Sequence, residues 1–179
     1  RSIRKKQAVH KQNLCIRRIM QIKIEKSQIY TLRLKKFGKY ELLENKKKAR
    51  FSKPASASKI AKLYTLSLNK KIIYVGITSR SLATRLRDGF KATGKTGYYG
   101  YKWKSLKEEL ILHIWTATED GKLISLREME TIEAEVVFLC RSDSGQWPEY
   151  QNEIHFFESH ENHRQAAKKI YSSVLRNSE

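Results

Sequence analysis

An α+β fold is predicted for this 179-residue chain by three features of its sequence. Two short apolar runs, Leu63 to Leu68 and Ile72 to Ile77, flank the polar Asn69-Lys70-Lys71 and read as a β-hairpin. A third run around Leu110, Leu112 and Ile114 alternates like a strand and ends near Thr118, where Asp120-Gly121 turns the chain. Leu126, Met129, Ile132, Val136, Val137 and Cys140 then recur at helical spacing and mark a helix of about 16 residues. The length suits one core, so three regions are expected: a basic region and linker over 1–58, a core over 59–145, and a helical extension packing on it over 146–179.

Charge narrows the partners. The net charge is +19, and +14 of it falls within residues 1–50. So polarised a surplus favours a polyanion, nucleic acid first, with an anionic membrane as the rival. No apolar run of about 18 residues and no apolar leader with a small-residue cleavage site is present, so a cytoplasmic protein that neither crosses a membrane nor is secreted is expected. Cys15 and Cys140 lack ligand spacing and read as two reduced thiols.

In the N-terminal region, Leu14, Ile16, Ile19, Met20, Ile22 and Ile24 begin near helical spacing and drift toward alternation; a helix over about 8–27 is expected. Arg4, Lys5, Lys6, Arg17 and Arg18 are its expected DNA contacts. Tyr30, Leu32 and Leu34 alternate, and Phe37-Gly38 can turn the chain into Tyr40 and Leu42, as a hairpin or within a continued helix. Ser52-Lys53-Pro54-Ala55-Ser56-Ala57-Ser58 reads as a linker, because the small polar residues bury little and Pro54 disfavours helix before it.

If Asn69-Lys70-Lys71 forms the central loop, Leu68 opposes Ile72, Leu66 opposes Tyr74 and Tyr64 opposes Gly76. Both tyrosines then share a face, and a slip of one residue separates them. Gly76 has no side chain to cover the Tyr64 hydroxyl. Ser79 or Ser81 can cap a following helix with Leu82, Leu86 and Phe90 on its apolar stripe; Arg85 flanks that stripe and is the arginine aimed inward.

These residues resemble a known family. Leu63-Tyr64-Thr65 and Tyr74-Val75-Gly76, with the tyrosines ten positions apart and Arg85 eleven further on in a short helix, look like the GIY-YIG nuclease superfamily, with Lys62-Leu63-Tyr64 as a degenerate first motif. The resemblance implies a three-stranded antiparallel sheet flanked by helices. It also implies that Tyr64 takes a proton from the attacking water, that Tyr74 orders or assists, that Arg85 steadies the phosphate, and that a later helix supplies one metal-binding glutamate. Family members commonly carry a His or Tyr four residues after the arginine. Gly89 stands there, so His113 or one of Tyr98, Tyr99 and Tyr101 has to substitute in space.

Glu133 falls on the apolar face of the later helix, between Met129 and Val137, where an unpaired carboxylate is costly. With Val136 and Val137 three and four residues on, it matches the family's metal glutamate; Glu135 is the second choice and Glu153 the third. Asn152 is a candidate for an asparagine that many members place after the glutamate. Before that helix, the run from Lys91 to Lys104 interleaves lysines, tyrosines, a tryptophan and glycines. Lys91, Lys95, Tyr98, Tyr99, Tyr101, Lys102 and Lys104 are expected to contact DNA, unless Tyr99, Tyr101 and Trp103 pack on the core. Gln165 to Leu175 reads as a terminal amphipathic helix.

The expected activity is hydrolysis of phosphodiester bonds in duplex DNA with one Mg²⁺ or Mn²⁺ per active site, type II restriction being one such role, in a protein able to act as a homodimer. The alternative is a non-catalytic module that binds DNA or structured RNA and keeps only the hairpin. A tyrosine is a poor base at neutral pH, so the metal, Arg85 and the positive field must favour its ionised form.

Overall fold

A computed structural model describes residues 21–95, 99–152 and 154–176; Arg4, Lys5, Lys6, Arg17, Arg18, Tyr98 and Glu153, and most of the helix expected over 8–27, lie outside them. The part of that helix that is described is extended, with strand β1 at Lys23–Ile24. Two strands follow as an antiparallel hairpin, β2 (Gln28–Lys35) and β3 (Lys39–Glu44), with Leu34 opposite Tyr40 and Leu32 opposite Leu42. β4 is the short pair Lys47–Lys48.

The central hairpin is β5 (Lys62–Leu68) and β6 (Lys71–Thr78), followed by helix α1 (Leu82–Lys91). The third expected strand is β7 (Glu109–Trp115), and the chain then leaves that sheet through β8 (Ala117–Glu119) and β9 (Lys122–Leu123) around Asp120-Gly121. Helix α2 (Leu126–Ser144) is longer than its apolar repeat, held by a Ser125/Glu128 capping box at one end and a left-handed Gly145 at the other. Helix α3 spans Glu161–Arg176.

The fold is α+β with antiparallel sheets, but the main sheet is larger than the three strands expected. Its order is β4-β3-β2-β7-β5-β6, six strands, with a separate small sheet β1-β8-β9. β2 runs along β7 from Gln28 opposite Ile114 to Arg33 opposite Glu109, so the basic segment from 28 to 44 is part of this sheet and not an appended arm. The stretch expected as a linker is tied down as well: the Gln28 side chain bonds to Ser52, Lys53 and Ala55, and Ala55 is fully buried.

Both faces of the main sheet are covered. One carries Leu63, Ile72, Val75 and Trp115 against Met129, Ile132, Val136 and Val137 of α2 and Ala167, Ile170 and Val174 of α3. The other carries Tyr64, Leu66, Ile73, Tyr74, Leu112 and Ile114 against Leu82, Leu86 and Phe90 of α1 and against Tyr101 and Trp103.

The hairpin reaches its expected pairing by another route. Tyr64 opposes Gly76 and Leu66 opposes Tyr74, but Leu68 opposes Lys71 and Ser67 opposes Ile72. The turn holds two residues, not three: Asn69 and Lys70 both have positive φ, as a type I′ hairpin turn requires. Such a turn alone sets Tyr64 opposite Val75 and sends Tyr74 to the other face. The irregularity after Leu66 leaves Ile73 as an extra residue, so that Ile73 and Tyr74 pack on the same face as Tyr64.

Candidate functional site

β6 is an edge strand, and that is what lets residues from both faces of the sheet meet. Beside Gly76 lies a cleft of about 450 Å³ lined by Tyr74 from β6, Arg85 from α1, Glu130 and Glu133 from α2, and Gln151, Asn152 and His155 from the segment after α2. Gly76 is needed for this approach: a Cβ there would stand 2.8 Å from the Tyr64 hydroxyl and from the Tyr74 ring. Tyr64 itself is 0% exposed; its hydroxyl lies against Gly76, one residue behind the cleft wall.

Local structure explains the inward arginine. Ser81 caps α1, its side chain accepting from the Thr84 N–H, which fixes the phase of the helix. On that phase Arg87 projects outward, and Arg80, just before the cap, is exposed as well; Asp88 pairs with Arg80 at 2.7 Å and with Arg87 at 3.6 Å. Arg85 is turned toward the sheet, its guanidinium 5.7 Å from the centroid of the Tyr101 ring.

The tyrosines form a buried cluster. The Tyr64 and Tyr101 hydroxyls are 3.0 Å apart, and the Tyr64 and Tyr74 rings 6.0 Å between centroids. Tyr74 and Tyr101 are both pushed well above the usual tyrosine pKa, first by burial and then by negative charge at Tyr64, while Arg85 acts the other way on each. Glu133 is raised to about 8, mainly by burial and then by Glu130; Arg85 and His155 oppose the shift. Glu130 accepts or shares a proton with His155 Nδ1 at 2.7 Å.

No family model, curated protein or solved structure matches the chain. What the site can do therefore rests on its own geometry. Among the described residues no group of three or more His, Cys, Asp or Glu could hold a metal ion. Glu133 nevertheless fits a hard cation: a half-buried carboxylate on an open cleft that Asn152 also lines suits an ion that completes its shell with water and phosphate oxygens, as Mg²⁺ does.

Other expected residues fall elsewhere. Glu135 lies two residues round the helix from Glu133 and lines a separate apolar pocket with Phe138 and Phe156. His113 is fully buried on the opposite face of the sheet from Tyr64, across from Thr65 and stacked on Trp115, because its neighbour Ile114 takes the face that Tyr64 uses. It cannot assist at the cleft. Of the expected DNA contacts, Lys91, Lys95, Lys102 and Lys104 are exposed and Tyr99 is 75% exposed. Tyr101 is buried, with its ring stacked on the buried Trp103 at 4.5 Å, so it presents no face to a base.

Sequence reasoning missed Glu130, Gln151 and His155. Glu130 was within reach, since a residue three before Glu133 shares its helix face. Gln151 carries no such signal. Its side-chain amide donates to the Val75 carbonyl and accepts from the Val75 N–H, at 3.1 and 3.0 Å, which pins the segment carrying Asn152 and His155 against β6. Among the described residues no helix is long and apolar enough to cross a membrane.

Proposed function

We propose that this protein is a divalent-cation-dependent endonuclease of the GIY-YIG type that hydrolyses phosphodiester bonds in duplex DNA. The observation that carries the reading is the convergence of Tyr74, Arg85 and Glu133, from three separate elements, on one cleft with the Tyr64 hydroxyl immediately behind Gly76. Lys102 lines this cleft, and it and the exposed Lys91, Lys95 and Lys104 of the same stretch of chain suit a phosphate backbone.

In this reading Tyr64 accepts the proton of the attacking water over Gly76. Arg85 stabilises the charge that grows on the phosphoryl oxygens. Glu133, with Asn152 lining the same cleft, would hold a divalent cation, which would supply positive charge against the scissile phosphate. Burial raises the Glu133 carboxyl to about 8, so loading an ion there would release a proton, and activity should rise with pH through this range.

The test is nicking of a supercoiled plasmid with and without Mg²⁺. Tyr64→Phe and Glu133→Ala should each abolish cleavage while duplex binding stays within a few-fold of wild type; cleavage at the wild-type rate by either variant sinks the assignment. The full burial of Tyr64 favours a second reading, a module that binds nucleic acid without cutting it. Binding with no Mg²⁺-dependent nicking by the wild type would select that one.

A further inference from the structure

We infer that Tyr101 is a positioning residue of the nuclease centre, its hydroxyl supplying a hydrogen bond to the Tyr64 oxygen when that oxygen carries charge. The inference rests on the nuclease reading, and it gives Tyr101 a role different from the DNA contact its sequence context suggests.

Three observations support it. The Tyr101 hydroxyl stands 3.0 Å from that of Tyr64 and 3.3 Å from the Arg85 carbonyl, to which it donates. A hydroxyl has one hydrogen, so it serves one acceptor at a time. While Tyr64 is a neutral phenol, Tyr101 donates to the carbonyl and accepts from Tyr64. When Tyr64 is a phenolate, rotation of the same O–H turns the donation onto its oxygen, the stronger acceptor. No bond to carbon or phosphorus changes in this step; only the hydrogen of Tyr101 reorients.

The second observation is Gly89. A Cβ there would lie 2.1 Å from the Tyr101 ring, so the glycine makes room for a ring that arrives from a different segment of the chain. Gly100, with positive φ, allows the equally close approach of its own backbone, since a Cβ there would lie 2.0 Å from the Gly89 carbonyl oxygen. Two glycines thus seat one tyrosine. Third, the ring is fixed on its other side by Trp103 at 4.5 Å, and an immobile hydroxyl in a buried site orients a charged partner without reorganising. Burial and the charge of Tyr64 both keep Tyr101 protonated, as a donor must be.

Tyr101→Phe keeps the ring on Gly89 and removes only the hydroxyl. The expected result is a fall in kcat of about 10- to 100-fold, the size of one lost hydrogen bond to a charged oxygen. KM, duplex binding and the melting temperature should hold. Wild-type kcat would overturn the role, and so would a loss of activity that tracks a rise in KM or a loss of binding or of melting temperature. Tyr64→Phe, assayed alongside, separates the two levels. An inactive Tyr64→Phe beside a fully active Tyr101→Phe overturns this role alone. A wild type that cuts nothing overturns the nuclease reading and this role with it.

Discussion

Replacing Glu133 by Gln should abolish cleavage and stabilise the metal-free protein. Burial and Glu130 raise this carboxyl from 4.5 to about 8, so the folded state binds more protons here than the unfolded chain does between those values. By linkage, wild-type stability falls as pH rises through that window, and the cost is complete above about 8. At about 1.4 kcal/mol per pH unit the ceiling is about 5 kcal/mol. Glu133 keeps some access to the cleft, and screening there roughly halves this to about 2 kcal/mol. Gln has the same shape and no charge, so the variant should melt about 4 to 8 °C above wild type at pH 8.5, and the gap should close toward pH 4.5. A cation that binds the folded carboxylate narrows the gap from the other side: at ten times a millimolar dissociation constant, Mg²⁺ returns about 1.4 kcal/mol to wild type and nothing to the variant. Thermal melts at both pH values, with and without Mg²⁺, measure all of this. A gap of equal size at both pH values, or none at 8.5, would refute the argument.

Three further outcomes are expected. His113 is held near pKa 4 by burial, so the unfolded chain binds more protons between 4 and 6.5, and the native state loses about 3 kcal/mol as pH falls through that range; His113→Leu should flatten urea-derived stability over the same interval, with an advantage of about 2 kcal/mol at pH 5 relative to its effect at pH 7.5. Gly89→Ala forces its methyl group into the Tyr101 ring and should cost about 1 to 3 kcal/mol in the same assay, with cleavage lost in step. Deleting residues 1–20 removes seven Lys or Arg and no acid; in a salt titration of duplex binding, the slope of log K against log salt should fall by up to about 6.

What the sequence disclosed was local. The pairing of Tyr64 with Gly76, the inward phase of Arg85 and the apolar face that carries Glu133 all follow from periodicities within twenty residues. The loop length did not, because a three-residue loop and a two-residue turn with a bulge bring Tyr64 and Tyr74 to the same face, and only the positive φ angles at Asn69 and Lys70 separate them. The size of the sheet was hidden for another reason. β2 pairs with β7, about eighty residues away, and nothing in either alternating run names its partner. Tyr101 looked like a surface ring because lysines surround it; its burial depends on the absence of a side chain at Gly89, a contact between segments that no single window contains.

The clip made by Gln151 bears on how two copies could come together. With the Tyr150 N–H on the Ile73 carbonyl and the Gln151 amide on both polar groups of Val75, the outer rim of β6 is already occupied along the site. At the far end the sheet closes on β4, two lysines long, whose charge repels a like neighbour. Strand addition is thus disfavoured at both margins among the described residues. A pair of molecules cutting opposite strands of a duplex would have to meet through helices or loops, and the stagger between the two cuts would then be set by the rigid docking of those surfaces.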